Sequence, residues 1–117
     1  MEHCYYTYIL TNYNRTVLYT GITNNLELRI LQHYLKSISK DSFAGKYNAY
    51  YLLYFECFKY ADQAIKREKV IKGWTRDKKI NLIRTKNPDM NFLNAEIFGG
   101  WPPKQPIDLK SYKILRR

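Results

Sequence analysis

The first part of the chain alternates side chains in the pattern of a β-hairpin. Residues 4–10 carry apolar or aromatic side chains on both sides of a predicted strand, which suits a strand packed on two faces. An Asn-rich turn follows, and residues 17–22 form the second predicted strand. If this turn has an even number of residues, Tyr8 and Tyr19 lie close together on one face of the hairpin.

After the hairpin, the apolar period changes to that of a helix. Thr and Asn at positions 23–25 are suitable N-caps for this first helix. Its predicted apolar stripe comprises Leu28, Leu31, Leu35 and Ile38. The polar segment 37–46 predicts a loop, and residues 49–58, rich in Tyr, Leu and Phe, predict a buried third strand.

Two more helices are predicted from capping residues and breakers. Asp62 caps a helix that continues to about Lys72, where Gly73 ends it. Thr75 caps another helix that continues to about Thr85.

The C-terminal part shows no clear period. It contains the Gly- and Pro-rich segment 99–103, which predicts a stiff, irregular connection. At 117 residues the chain fits one domain. We therefore predict a domain over residues 1–87 and an irregular extension over residues 88–117, which packs on the same domain or binds a partner.

The charge balance favours a polyanionic partner. The chain carries 20 Lys and Arg against 10 Asp and Glu, a net charge of +10. The excess gathers in residues 59–86, with ten basic and three acidic side chains. Phosphate neutralisation is the main sequence-independent source of nucleic-acid affinity, although an acidic membrane surface would also attract this charge. No apolar run approaches the about 20 residues that a membrane-spanning helix needs.

The cysteines and the N-terminal segment predict a cytoplasmic location. Cys4 and Cys57 lie in apolar, strand-like runs at a spacing that suits neither a metal site nor a disulfide framework, so we predict reduced core residues. The N-terminal residues lack the basic region of a secretory signal.

Glu68 is the strongest candidate for a functional residue. On a helix, its neighbours Ala64, Ile65 and Ile71 place it in the stripe expected to face the core. A buried carboxylate must be paired, neutralised or metal-bound. One interpretation is a structural ion pair with a nearby Lys or Arg. The other is a Mg²⁺ site, because Mg²⁺ accepts one or two carboxylates together with water and phosphate oxygens.

Arg29 and His33 stand four residues apart on the first helix, away from its Leu stripe. Taken alone, they would form a solvated face. An Arg offers a planar fork to a phosphate, and a His can donate to a phosphoryl oxygen or move a proton near neutral pH. Their shared face gives them a common target.

Tyr8 and Tyr19 belong to a set of 12 tyrosines, so packing alone could explain either of them. A free phenol titrates near about 10, so a tyrosine base needs a metal or cationic neighbours. Lys46 and Tyr47, at the end of the predicted loop, are weaker candidates.

These residues together resemble the GIY-YIG nuclease family. Residues 6–8, Tyr-Thr-Tyr, are similar to the first family triplet in their final Tyr, and residues 19–21, Tyr-Thr-Gly, are similar to the second. Arg29 and His33 follow at the spacing of the family's helix motif. Glu68 resembles the metal-binding Glu, and the chain is similar to short stand-alone members.

The resemblance, over about residues 5–86, implies a small α+β fold with a three-stranded antiparallel sheet flanked by helices. It implies an endonuclease that hydrolyses DNA phosphodiester bonds with Mg²⁺ or Mn²⁺ and is structure-directed or weakly sequence-selective. From the lack of a long apolar run, we expect no membrane partner. RNA is left open as a substrate. The alternative is a nucleic-acid-binding or assembly module that keeps the fold without useful turnover.

The resemblance also implies roles for single residues. Tyr8 or Tyr19 would help to activate water, Arg29 would stabilise developing charge, and Glu68 would hold the metal. His33 and Lys46 would assist at the phosphate or donate a proton. Asn81 is the nearest match to a late Asn found in some members.

Overall fold

A computed structural model describes residues 3–38 and 49–104 of the chain. The predicted site residue Lys46 and its neighbour Tyr47 lie outside the described residues. The elements, in chain order, are β1 (Tyr5–Thr11), β2 (Leu18–Thr23), α1 (Leu26–Ile38), β3 (Tyr51–Phe58), α2 (Ala61–Lys72), α3 (Arg76–Lys86) and α4 (Asn94–Phe98). In these parts of the chain, three strands form one antiparallel sheet with helices packed on it, so the predicted α+β fold is confirmed.

The central strand of the sheet is β1, and the order is β2-β1-β3. Both neighbours are antiparallel to β1. The β1–β2 turn, residues 12–17, has an even length, and the register pairs Leu10 with Tyr19 and Tyr8 with Gly21. Tyr8 and Tyr19 therefore share a face, as predicted, with their ring centroids 6.3 Å apart.

Each face of the sheet carries its own apolar core. On one face, Tyr8 of β1 packs with Leu26 and Ile30 of α1. On the other, Ile9 of β1 packs with Ile71 of α2 and with a residue of α3. The prediction that the first strand is buried on both faces is confirmed, and α1 and α2 lie on opposite sides of the hairpin.

The predicted helix boundaries agree closely with the structure. The hydroxyl of Thr75 accepts a hydrogen bond of 3.3 Å from the backbone N–H of Lys78, so the predicted N-cap of α3 is confirmed. Two details differ. The predicted stripe of α1 extends too far, because Ile38 is 55% exposed, and α2 begins at Ala61, before the predicted cap.

The segment after α3 is more regular than its sequence predicted. It contains α4, a helix too short to show a period, and side chains on and after α4 pack on the core that contains Tyr8. Asn94 is buried against the edge of β3: its Oδ1 accepts from the backbone N–H of Leu52 at 2.7 Å, and its Nδ2 donates to the carbonyl of Tyr50 at 2.9 Å. A side-chain amide thus caps part of this sheet edge.

The cysteine prediction is wrong. Cys4 and Cys57 form a disulfide, with their Cα atoms 5.4 Å apart, and Cys57 is exposed. The antiparallel pairing of β1 with β3 places the start of one strand beside the end of the other, which a separation of 53 residues conceals. The pairing removes reduced cysteines as support for a cytoplasmic location. Among the described helices, none is both long and apolar enough to cross a membrane.

Candidate active site

The ring of Tyr8 lies over the edge strand β2 at Gly21, the residue paired with it. A Cβ atom on Gly21 would lie 2.6 Å from Cζ of Tyr8, closer than such atoms approach, and 3.0 Å from Cε1 of Tyr19, a tight contact. Glycine is therefore required here by the space that the phenol occupies. Tyr8 is 1% exposed, whereas Tyr19 is 38% exposed.

Arg29 joins α1 to the two tyrosines. Its Nε donates to the hydroxyl of Tyr8 at 3.4 Å, and its Nη1 donates to Oε1 of Gln32 at 3.2 Å. Burial lowers the pKa of Arg29, but hydrogen bonds to Tyr8 and Tyr19 outweigh this effect and raise it. Arg29 directly precedes Ile30, which is buried in the core with Tyr8, and is itself half-buried.

The environment of Tyr8 keeps its phenol protonated. Burial raises the pKa of Tyr8 to about 12, and Arg29 only partly opposes this effect. Tyr19 and Glu68 act in the same direction as burial, so Glu68 lies near enough for its charge to be felt at this hydroxyl. Without a further cation, Tyr8 is a neutral hydrogen-bonding group at neutral pH.

His33 stands one turn after Arg29 and packs edge-on against Tyr19, with ring centroids 5.1 Å apart. It is half-buried, so the expectation of a solvated face is wrong for this residue. Burial lowers its pKa to about 4, and the charges of Arg29 and Lys36 add to this effect. His33 is therefore neutral at pH 7, and its buried Nε2 has no hydrogen-bond partner among the described residues.

Glu68 reaches the site from the other face of the sheet. The buried hydroxyl of Thr7 donates to the carbonyl of Ala64 at 2.9 Å, which fixes α2 against β1 one turn before Glu68. The side chain of Glu68 is 14% exposed and pairs with Nζ of Lys72 at 2.6 Å. Ile65 is 37% exposed, so the predicted stripe is buried only in part, and Glu68 lies at the rim of the core.

The structure thus brings five of the predicted residues to one edge of the sheet. Lys46 is outside the described residues, and Asn81 is exposed on α3. The five are Tyr8, Tyr19, Arg29, His33 and Glu68.

Two residues of the site escaped the sequence analysis, although a signal for each was present. Gln32 follows Arg29 by three residues and Lys72 follows Glu68 by four, the spacings at which helical side chains meet. The contact of Thr7 with α2 could not be predicted in this way, because it joins positions 57 residues apart.

Within residues 3–38 and 49–104, no group of three or more His, Cys, Asp or Glu converges as a metal centre would. Among the described carboxylates, Glu68 is the one whose charge contributes to the raised pKa of Tyr8. One carboxylate still suffices for Mg²⁺, which keeps several waters and takes phosphate oxygens as further ligands. The donor set therefore fits an ion that binds together with a phosphate.

Comparisons with known proteins show the family. The model of the GIY-YIG catalytic domain matches residues 4–81. A UPF0213 protein of Clostridium perfringens (strain 13 / Type A) is 40% identical over 86 residues, which cover 70% of this chain and 85% of the relative. A UPF0213 protein of Haloquadratum walsbyi (strain DSM 16790 / HBSQ001) is 35% identical over 82 residues, 70% of this chain and 89% of the relative.

A solved structure is also similar. It is the solution NMR structure of a UPF0213 protein from Bacillus halodurans, with 26% identity and a TM-score of 0.46. The similarity covers 74% of this chain and 88% of that chain.

Proposed function

Because the chain belongs to the GIY-YIG family, we propose that it is a metal-dependent endonuclease that hydrolyses DNA phosphodiester bonds. Members of this family are generally nucleases that act on nucleic acids. The observation that carries the proposal is the meeting of Arg29, two tyrosines and Glu68 at one edge of the sheet. Structure-directed or weakly sequence-selective cleavage is part of this proposal.

Arg29 is proposed to stabilise charge at the scissile phosphate. Its guanidinium is held by Tyr8 and Gln32, and a positioned guanidinium loses little freedom when it binds a phosphate. Preorganised cations of this kind lower the barrier as negative charge develops on the phosphoryl oxygens.

The two tyrosines are proposed to differ in role. Tyr19 is exposed enough for a water molecule to reach it, whereas Tyr8 is enclosed and keeps its proton. Tyr19 would therefore contact the attacking water, and Tyr8 would hold Arg29 in place. The neutral ring of His33, packed against Tyr19, would orient it and accept or relay a proton.

Glu68 is proposed to hold a divalent ion, Mg²⁺ or Mn²⁺. Such an ion would neutralise phosphate charge and lower the pKa of a bound water. The carboxylate is placed by the bond from Thr7 to α2, and its present partner Lys72 is exposed enough to leave it.

A cleavage assay tests this proposal. The protein is incubated with duplex, branched, flapped and single-stranded DNA and with RNA, in Mg²⁺, in Mn²⁺ and in EDTA. We expect metal-dependent cleavage of at least one DNA substrate by the parent protein and none by Glu68→Ala, which excludes a contaminating nuclease. Binding without cleavage on every substrate would favour the non-catalytic module instead.

A further inference from the structure

We infer that Lys72 is an internal cation that occupies the Glu68 carboxylate in the metal-free protein and competes there with a divalent ion. Lys72 would thus set the concentration of divalent ion that is needed to fill the site. This inference rests on the proposed function, since it takes Glu68 as the metal-binding residue.

The burial of Glu68 explains why a cation is needed in the absence of metal. Its side chain is only 14% exposed, and Nζ of Lys72 lies 2.6 Å from Oε2. A carboxylate that has lost most of its water costs free energy unless it is paired. Lys72 supplies this pairing from the same helix, one turn away.

The exposure of Lys72 explains why this cation can be displaced. Its side chain is 54% exposed, and it is the last residue of α2, directly before Gly73. An ammonium on a flexible stem that swings into water keeps its hydration, so leaving the pair costs little. The pair is therefore asymmetric. Glu68 needs a positive partner, but a cation other than Lys72 could fill this role.

A second ion pair in the protein shows the contrast. Glu56 is buried to the same extent, at 15% exposed, and its partner Arg67 binds both carboxylate oxygens, at 2.9 and 3.0 Å. The hydroxyl of Tyr54 donates to the same carboxylate. Because Glu56 is bound by a bidentate guanidinium and by a phenol, a metal ion could not simply replace its partner. Of these two carboxylates, only Glu68 is paired with a single, exposed ammonium.

The position of Lys72 also fits a competitor at the site. The ammonium is already at the carboxylate that the ion would bind, with Nζ of Lys72 2.6 Å from Oε2 of Glu68. An ion that binds this carboxylate would therefore meet Lys72 and repel it.

Mn²⁺ binding tests the inference without any need for turnover. The affinity of the full chain for Mn²⁺ is measured by electron paramagnetic resonance of the free ion, at fixed pH and ionic strength. We expect Lys72→Met to bind Mn²⁺ about fivefold more tightly than the parent, because a surface ion pair of ordinary strength no longer opposes the metal. Lys72→Arg, which keeps the cation, should stay within about twofold of the parent.

Two controls separate this inference from the proposed function. Lys69→Met removes an exposed charge of the same helix and should leave Mn²⁺ affinity unchanged, whereas Glu68→Gln should abolish specific binding. Binding that depends on Glu68 but is identical in Lys72→Met and the parent would overturn the competitor and leave the metal site intact. If the parent shows no Mn²⁺ binding that depends on Glu68, both the competitor and the proposed metal site are overturned.

Discussion

At the scale of single residues, the site is organised by the contrast between an enclosed and an exposed tyrosine. Tyr8 passes over Gly21 and meets Arg29, whereas Tyr19 lies at the surface against His33. The shared face of the tyrosines could be predicted, because it depends only on strand period and turn length. The burial of His33 could not, since the Tyr19 ring that packs on it comes from a different element.

Replacing Tyr19 by Phe removes only its hydroxyl and keeps the ring that packs on His33. We expect a fall in single-turnover cleavage of about 100-fold or more, the usual size of a lost proton-transfer group, with unfolding free energy within about 0.5 kcal/mol of the parent. Tyr13→Phe, at a tyrosine 68% exposed, is the matched control. Cleavage at the parental rate by Tyr19→Phe in saturating metal would show that this hydroxyl takes no part.

The pKa of His33 gives a pH prediction. It is about 4 in the folded protein, below the ordinary value of 6.5, so between these values the unfolded chain binds more protons than the folded one. The contribution of His33 to stability is complete above pH 6.5 and is lost as the pH falls towards 4. An NMR titration, with His3→Gln used to assign the two rings, should give His33 a midpoint near 4. A midpoint near 6.5 would contradict the desolvated position.

At the scale of elements, the site depends on how two helices meet one hairpin from opposite faces. The helices α1 and α2 and all three described strands were predictable because each has a regular period or a clear cap. The helix α4 was not, because it spans less than two turns, and the disulfide was not, because strand pairing determines it. The relation of α2 to β1 combines the packing of Ile71 on Ile9 with one buried hydrogen bond from Thr7 to Ala64.

Thr7→Val tests this relation, because valine keeps the shape and removes the donor. The carbonyl of Ala64 keeps its place in the helix, so we expect a loss of about 1 kcal/mol in unfolding free energy. Cleavage should fall by more than this loss of stability explains, because the same contact positions Glu68. Urea melts and single-turnover rates measure the two effects, with the exposed Thr85→Val as control. A stable variant with unchanged cleavage would show that Thr7 does not position Glu68.

At the scale of the whole molecule, charge and catalytic geometry are separable. Nine of the 20 Lys and Arg, most of them exposed, lie on α2 and α3 and give these helices a net charge of +6 out of +10, whereas Arg29 alone of the described basic residues contacts Tyr8. Composition could predict a polyanionic partner but not which cations act at the cut phosphate. That distinction depends on the fold, because Arg29 lies on a different helix from most of the charge.

The exposed Lys79 of α3 tests the general electrostatic contribution. Lys79→Ala should weaken DNA binding and reduce the slope of log affinity against log salt by about 0.9, the value for one lost phosphate contact. Cleavage at saturating protein should be unchanged, whereas Arg29→Ala should lose cleavage with a smaller effect on binding. Lost cleavage in Lys79→Ala, together with weakened binding alone in Arg29→Ala, would show that these two roles are assigned to the wrong residues.

The proposed role of Glu68 as the metal-binding carboxylate is tested most directly by Glu68→Gln. Single-turnover cleavage is measured in Mg²⁺ and unfolding free energy by urea melts in EDTA, with the exposed Glu96→Gln as control. We expect abolished cleavage, because the metal-binding carboxylate is lost. Since Lys72 is 54% exposed and becomes hydrated when its partner is lost, the unfolding free energy should change by no more than about 1 kcal/mol. Retained cleavage together with a loss of about 3 to 5 kcal/mol, the cost of breaking a buried structural ion pair, would contradict this role.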